Sequence, residues 1–321
     1  RAFKDSSIGS FAADDVTLDK SDWIALALIT AVAVILRIIG LGRSCTFDEV
    51  FLIRALITQN PVRIFLHPSG SAHALHSLLA WTPVAVLGLS EWTARLPAMI
   101  AGSLSPALLY LIARRWFSRG VGRVGAALLC LSPIHVWYSQ EAKGNTLMVL
   151  CVLCSWLALA RLTTRWRWRP AGAYLACLFC AAFSHLSGLM WVLVQVLPFL
   201  LPRGWRLVAD AGRAFRLRIA TLHLMALWTI FLVYSPILPF LVRAREEVGQ
   251  LEGRPLLGHL MAQTCQQLTL LDAPVWGLAA VAWLGVAGLA CLAWRHRPML
   301  AFLCLPFLAD LGITAAGGLF S

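Results

Sequence analysis

The 321-residue chain is 60% hydrophobic and 13% charged, carries 14 Trp, and has a mean hydropathy of +0.76. Soluble domains hold roughly 25% charged residues, so this composition excludes a soluble globular or disordered protein and indicates a polytopic membrane protein. The net charge of +12 does not point to nucleic acid, because Lys and Arg fall in short loops between apolar runs, as the positive-inside bias requires.

Only helices and closed barrels satisfy their backbone in lipid. The apolar runs are long and do not alternate, which selects helices. Residues 1–21 are polar and of mixed charge, and they read as a cytoplasmic N-terminal arm before a transmembrane domain over 22–321. The first span is Trp23–Gly40, with Arg37 near its outer end. Further spans are expected at 96–113, 123–138, 145–160, 171–184, 187–201, 218–240, 274–294 and 299–317, nine in all. The chain begins at Arg1 without Met and stops just after an apolar segment, so a longer parent protein with further C-terminal helices is expected.

Residues 72–89 are apolar enough to be mistaken for a span. If they do not cross, the loops on the N-terminal side carry fifteen Arg against eight Lys and Arg on the other side. If they cross, the bias reverses. Orientation follows that bias, so 72–89 is expected to be an interfacial helix in an external loop 41–95, with the N terminus cytoplasmic. His73, His76, Trp81 and Pro83 suit an interface. A second external loop, 241–273, holds Gln263, Gln266 and Gln267.

Acid is rare. From Trp23 to Ala209 the acidic residues are Asp48, Glu49, Glu91 and Glu141, and this topology puts all four on the external face. Carboxylates beside hydrocarbon are costly and mark functional sites by default. The same face gathers Arg54, His67, His73, His76, Arg95, Lys143 and His185. Glu91 and Arg95 stand at i, i+4, a spacing that suits a local ion pair as well as a site, and Pro97 suits the first turn of its helix. The stretch 132–143 sets Tyr138, Gln140, Glu141 and Lys143 at an outer helix end. His73 and His76 are one turn apart, compatible with holding a divalent cation or with plain interfacial placement. Asp310 is an intramembrane acid near the end of the chain.

Two Cys-x-x-Cys stretches, Cys151/Cys154 and Cys177/Cys180, have metal-like spacing but apolar surroundings, where Cys behaves as a small hydrophobe. Cys45 and Cys265 fall in external loops, a compartment that permits a disulfide between them.

The motifs Phe47-Asp48-Glu49, His67-Pro68, Glu91-x-x-x-Arg95-Leu-Pro97, Arg114-Arg115 and Pro133 through Ser139-Gln140-Glu141-Ala-Lys143 keep the order and approximate spacing of a known group over about residues 40–165. In them the chain resembles the protein O-mannosyltransferase and aminoarabinose-transferase superfamily, glycosyltransferases of the GT-C fold and family 39 type. Lys143 stands where that family usually has Arg, Asn145 where it has an aromatic, and Pro68-Ser69-Gly70 where it has Pro-Pro-Leu.

The resemblance implies a GT-C-like bundle with external juxtamembrane helices. It implies transfer of a sugar from a polyprenyl-phosphate donor to a hydroxyl of a lipid, glycan or protein, outside the cytoplasmic membrane. It implies Asp48 as general base, with Glu49 beside it. Phosphate is already a good leaving group, so the chemistry asks for cations: Lys143, Arg95 and Arg54, with His67 at the donor phosphate, at the acceptor, or at a divalent cation together with a carboxylate. Glu91, Tyr138, Gln140, Glu141 and His185 are expected to line the cavity. Two competing readings are a transporter or lipid-carrier flippase, which calls for paired discontinuous helices and midplane charge, and a noncatalytic subunit that kept the fold.

Overall fold

The computed structural model describes residues 17–66, 73–200 and 213–235. The chain forms two compact units, Arg1–Val192 with Arg218–Ile237, and Leu193–Leu217 with Leu238–Ser321. The helices that position the acidic cluster belong to the first. The second takes in the end of α10 and the start of α11.

The described residues are helical, with no sheet. They run α1 (Lys20–Ile39), α2 (Phe47–Leu52), a π-helical turn (Ile53–Ile57), α3 (Pro61–Leu66), α4 (Ala74–Leu87), α5 (Glu91–Trp116), α6 (Arg119–Leu131), α7 (Pro133–Ser139), α8 (Asn145–Thr164), α9 (Trp168–Ser184), α10 (Gly188–Leu200) and α11 (Arg213–Tyr234). Four of them, α1, α5, α8 and α11, are long and apolar enough to cross a membrane, and α6 with α7 makes a fifth if the bent pair is one span. These four or five, among the described residues, are what the structure provides toward the expected nine. The segments 274–294 and 299–317, with Asp310, Cys265 and the Gln residues of 241–273, lie outside the described residues.

The 123–138 segment is a broken helix rather than a straight span. Pro133 has no N–H to continue the ladder of α6, and α7 leaves at 59°. Ser132 ends one helix and caps the next, accepting the N–H of His135. In α5 the start also differs from expectation. Ser90 and Thr93 form a capping box that begins the helix at Glu91, so Pro97 falls in the second turn. Helix α4 has 14 residues, about 21 Å at 1.5 Å per residue, short of a ~30 Å hydrocarbon core. That length suits an interfacial helix.

Helix α5 is the centre of the first unit and packs against α1, α4, α6, α7 and α8. Much of its buried face is made of small residues: Ala94, Ala98, Ala101, Gly102, Ser103 and Ser105. Small residues let membrane helices approach closely. At the end away from Asp48, the buried Asp22 of α1 pairs with Arg114 at 2.7 Å and Arg119 at 3.2 Å, and accepts the Tyr110 hydroxyl. This ties α1, α5 and α6 together. Helix α11 is tied to α9 by Tyr174 with His223 and by Tyr234 with the Ala182 carbonyl.

Helices α8 and α9 form an antiparallel hairpin. It brings the two Cys-x-x-Cys stretches face to face, with Cys151 beside Cys180 and Cys154 beside Cys177. No group of three or more metal-ligating side chains able to hold an ion occurs among the described residues, and no disulfide is present among them.

The N-cap of α8 is a close-approach point. A Cβ on Gly144 would lie 2.0 Å from the Ser184 carbonyl oxygen and 3.3 Å from His73 Nδ1. Gly144→Ala is therefore expected to destabilise the protein by about 1–3 kcal/mol, the usual cost of forcing backbone apart in a packed site. Thermal unfolding in detergent would show it, and an unchanged midpoint would count against this packing.

Candidate active site

The loop 41–46 joins α1 to α2, and its carbonyls turn inward. Thr46 caps α2 in a capping box with Glu49. That box, Thr-x-x-Glu, aims the Glu49 side chain back at the helix start, where it is fully buried. Glu49 Oε1 accepts Arg95 Nε at 2.8 Å and the Ala142 N–H at 2.8 Å; Oε2 accepts Arg95 Nη2 at 2.9 Å and the Thr46 N–H at 2.9 Å. Arg95, also fully buried, donates its remaining N–H groups to the carbonyls of Leu41 at 2.7 Å, Arg43 at 2.6 Å and Ser44 at 3.3 Å. Arg95 thus turns to Glu49 rather than to Glu91, which is exposed on the first turn of α5. Burial pushes the Glu49 carboxyl up, but the Arg95 guanidinium and the Thr46 and Ala142 N–H groups outweigh it and hold the carboxyl at about 2.

Asp48 is one residue away, about 100° around the helix, and meets the opposite environment. Its side chain is 70% exposed and pairs with Lys143 Nζ at 3.3 Å. Lys143 also reaches Glu141 Oε2 at 3.5 Å as an ion pair without hydrogen-bond geometry. The buried Glu141 accepts Trp137 Nε1 at 2.9 Å, and Arg43 lies 4.0 Å from its Oε1 and 3.5 Å over the Trp137 ring. An alternating set of charges, Asp48–Lys143–Glu141–Arg43, therefore lies where α1, α2, α7 and α8 converge.

Histidines stand beside it. His73, at the N-cap of α4, has its Nδ1 3.3 Å from the Ser184 carbonyl and its ring 5.1 Å from that of His185. His185 Nδ1 meets Ser187 Oγ at 2.6 Å. His76 is fully buried and neither ring nitrogen has a hydrogen-bond partner among the described residues. Tyr138 is half-buried on α7. Gln140 is buried and donates its amide to the Leu36 and Arg37 carbonyls of α1. Arg54 is exposed on the π-helical turn, and His67 lies outside the described residues.

Burial, then the neighbouring His185, pushes His73 down to about 4, against the opposing pull of the Ser184 carbonyl; burial, then His73, pushes His76 down to about 3. Burial and Lys143 lower His185 as well. A histidine held neutral by the fold binds fewer protons than in the unfolded chain below its ordinary value of 6.5, so stability falls with pH from 6.5 toward the folded value. At about 1.4 kcal/mol per pH step, lowering the pH from 6.5 to 5 costs the fold about 2 kcal/mol from His73 alone. Thermal unfolding between pH 7.5 and 5 would reveal the drop, and a flat profile would refute it.

Two members of this cluster carry no expected role from the sequence, Arg43 and Trp137. Trp137 and Glu141 stand at i, i+4, the spacing that brings side chains together on a helix. Arg43 offers no such signal, since its place over Trp137 depends on how the 41–46 loop folds.

The described residues form a helical membrane domain with an exposed acid–cation pair at one end of its bundle. The model of one family, dolichyl-phosphate-mannose-protein mannosyltransferase, matches residues 68–240, more than half of the chain. The chain belongs to that family and carries a GT-C-superfamily glycosyltransferase-like domain. The matched stretch includes Arg95, Glu141 and Lys143; Asp48 and Glu49 precede it. No curated protein and no solved structure gives a significant match.

Proposed function

We propose that the protein transfers a sugar from a polyprenyl-phosphate carrier to an acceptor hydroxyl on the extracytoplasmic face of the membrane, with the N terminus in the cytoplasm. The observation that carries this reading is the exposed Asp48 carboxylate 3.3 Å from Lys143, in a chain of this family. Asp48 takes the acceptor proton as the acceptor oxygen attacks the anomeric carbon. The bond from that carbon to the phosphate oxygen breaks, its electron pair leaves with the polyprenyl phosphate, and one displacement inverts the anomeric centre. Lys143 and Arg43 are the cations placed to meet the leaving phosphate, the electrostatic contribution such a reaction needs. Lys143 does so as a point charge rather than a bidentate fork. Arg95 has its donors committed to Glu49 and the 41–44 carbonyls, so its part is to hold the loop that presents Asp48. Glu49 shares that part.

The test is sugar transfer in proteoliposomes of the full chain, with a panel of polyprenyl-phosphate sugars, protein, glycan and lipid acceptors, and the anomeric configuration of any product read by NMR. An inverted product supports the reading. A retained configuration refutes the single displacement. Uptake of labelled donor lipid without a covalent product refutes the transferase and establishes a transporter.

A further inference from the structure

We infer that Arg37 is a positioning residue for the Asp48–Lys143 pair, holding the broken helix α6–α7 against α1 so that the chain leaves α7 with Glu141 and Lys143 turned toward Asp48. This rests on the transferase reading for its consequence in catalysis, though not for its geometry.

Arg37 lies in the last turn of a spanning helix and is fully buried. An arginine there is expensive and needs a reason. The buried Arg95 of the first unit meets a carboxylate, Glu49, and so does the mostly covered Arg114, which meets Asp22. Arg37, among the described residues, meets only neutral groups. Its Nη1 donates to the Ala33 carbonyl at 2.9 Å on its own helix and to the Cys130 carbonyl at 3.5 Å near the end of α6. Its Nε donates to Ser139 Oγ at 3.1 Å and its Nη2 to His135 Nδ1 at 2.8 Å, both on α7. One planar fork therefore spans both sides of the Pro133 break, where the helix ladder is open. Lysine, a single point of charge, cannot make that set of bonds.

The contact is returned from the other side. Gln140, the residue after α7, donates to the Leu36 and Arg37 carbonyls at 3.1 and 3.2 Å. Two residues later the Ala142 N–H is held by Glu49. The turn that carries Glu141 and Lys143 is thus fixed at Gln140 by α1 and at Ala142 by α2. Gly102 of α5 makes room: a Cβ there would lie 2.0 Å from Ser139 Oγ and 3.1 Å from Arg37 Nε.

His135 follows from the same fork. Arg37 can only donate, so His135 Nδ1 accepts and the proton of the neutral ring sits on Nε2, which is buried without a partner among the described residues. The ring is kept for its Nδ1. A purely adhesive contact between apolar helices would not call for a charge and an unsatisfied N–H, both of which cost stability; a contact that must be made in one geometry does.

The experiment uses the full chain with Arg37→Met, Arg37→Lys, His135→Leu and His135→Asn, whose amide oxygen takes the place of Nδ1. Sugar transfer in proteoliposomes is read as kcat and donor KM, and amide hydrogen exchange is followed by mass spectrometry. Arg37→Met, Arg37→Lys and His135→Leu are expected to lower kcat about tenfold or more, since a misplacement of about 1 Å suffices for that. His135→Asn is expected to restore most of it. Exchange should rise over 133–144 and stay unchanged in α5 and α8. Full kcat in His135→Leu would overturn the inference. So would faster exchange throughout α1, α5 and α8, which marks a merely structural residue. If the wild type forms no product with any donor, the transferase reading fails, and the exchange pattern alone still decides whether Arg37 fixes the turn.

Discussion

Asp48→Asn is expected to lower sugar transfer by about 10²–10⁴-fold, the range a general base contributes, and to leave the fold intact. Both halves of this expectation come from the same environment. Asp48 is 70% exposed and its ion pair is with a partly exposed lysine; such pairs stabilise by about 0–1 kcal/mol. Asn has the same shape and still accepts a hydrogen bond from Lys143. What it cannot do is take a proton from the acceptor hydroxyl. Initial rates in proteoliposomes, set beside the thermal unfolding midpoint of each protein, check this directly. A folded Asn variant that turns over at the wild-type rate would remove Asp48 from the mechanism. Lys143→Met serves as the companion. It is expected to slow transfer as well, by about 10²-fold, because a preorganised cation at a developing phosphate charge is worth a few kcal/mol. It also leaves the Asp48 side chain in place to act as base, so the residual rate of the two variants should differ.

How far the sequence reaches is clearest at Asp48 and Glu49. Adjacent carboxylates after the first apolar run mark a candidate site, and composition alone marks the membrane. The division of labour between the two is harder to read. The Thr46-x-x-Glu49 pattern is a capping box visible in sequence, and it already says that Glu49 is spoken for locally. What it omits is Arg95, 46 positions away. The i, i+4 spacing invites pairing of Arg95 with Glu91, but the folded 41–46 loop surrounds Arg95 with three carbonyls and a carboxylate, and local spacing yields to that tertiary set. Likewise Ser132-Pro133 is a legible helix interruption, yet hydropathy averages across it and reports one span. The bend matters to the site because it turns α7 so that Trp137 and Glu141 meet Arg43. The π-helical turn at Ile53–Ile57 has no sequence signature at all. Hydropathy locates helices α1, α5 and α8; the starts of α1 and α5 are set by capping boxes at Asp19 and Ser90, and caps are local chemistry that a hydropathy window does not see.

The second large effect is on stability. Glu49→Gln is expected to destabilise the protein by about 3–5 kcal/mol, the cost of leaving a buried charge without its partner. Arg95 would keep its three carbonyl contacts but lose the only carboxylate it meets among the described residues, and Gln would have to present N–H groups where Arg95 and the Ala142 N–H already donate. Glu49→Leu with Arg95→Met removes both charges and is expected to recover part of the loss, since a buried pair replaced by apolar groups is often close to neutral; the recovery is incomplete because the Leu41, Arg43 and Ser44 carbonyls then lack donors. Unfolding in detergent of the wild type, Glu49→Leu, Arg95→Met and the double variant gives the coupling. The pH dependence supplies a second check with a definite sign. The fold holds the Glu49 carboxyl at about 2 against an ordinary 4.5. A carboxyl depressed in the fold stabilises above its unfolded value, and that stabilisation is lost as pH falls toward the folded one. The wild type should therefore exceed Glu49→Gln by a constant margin above about pH 4.5, and the margin should shrink between 4.5 and 2. His73 feels no direct pull from Glu49 and cancels from the comparison. His76, which Glu49 pulls up against burial and His73, differs between the two proteins only near and below its folded value of about 3, so the margin is read from pH 4.5 down to that value. A margin that stays constant over that range would mean that Glu49 acts through shape or hydrogen bonding alone, and the buried ion pair with Arg95 would lose its claim to hold the loop that presents Asp48.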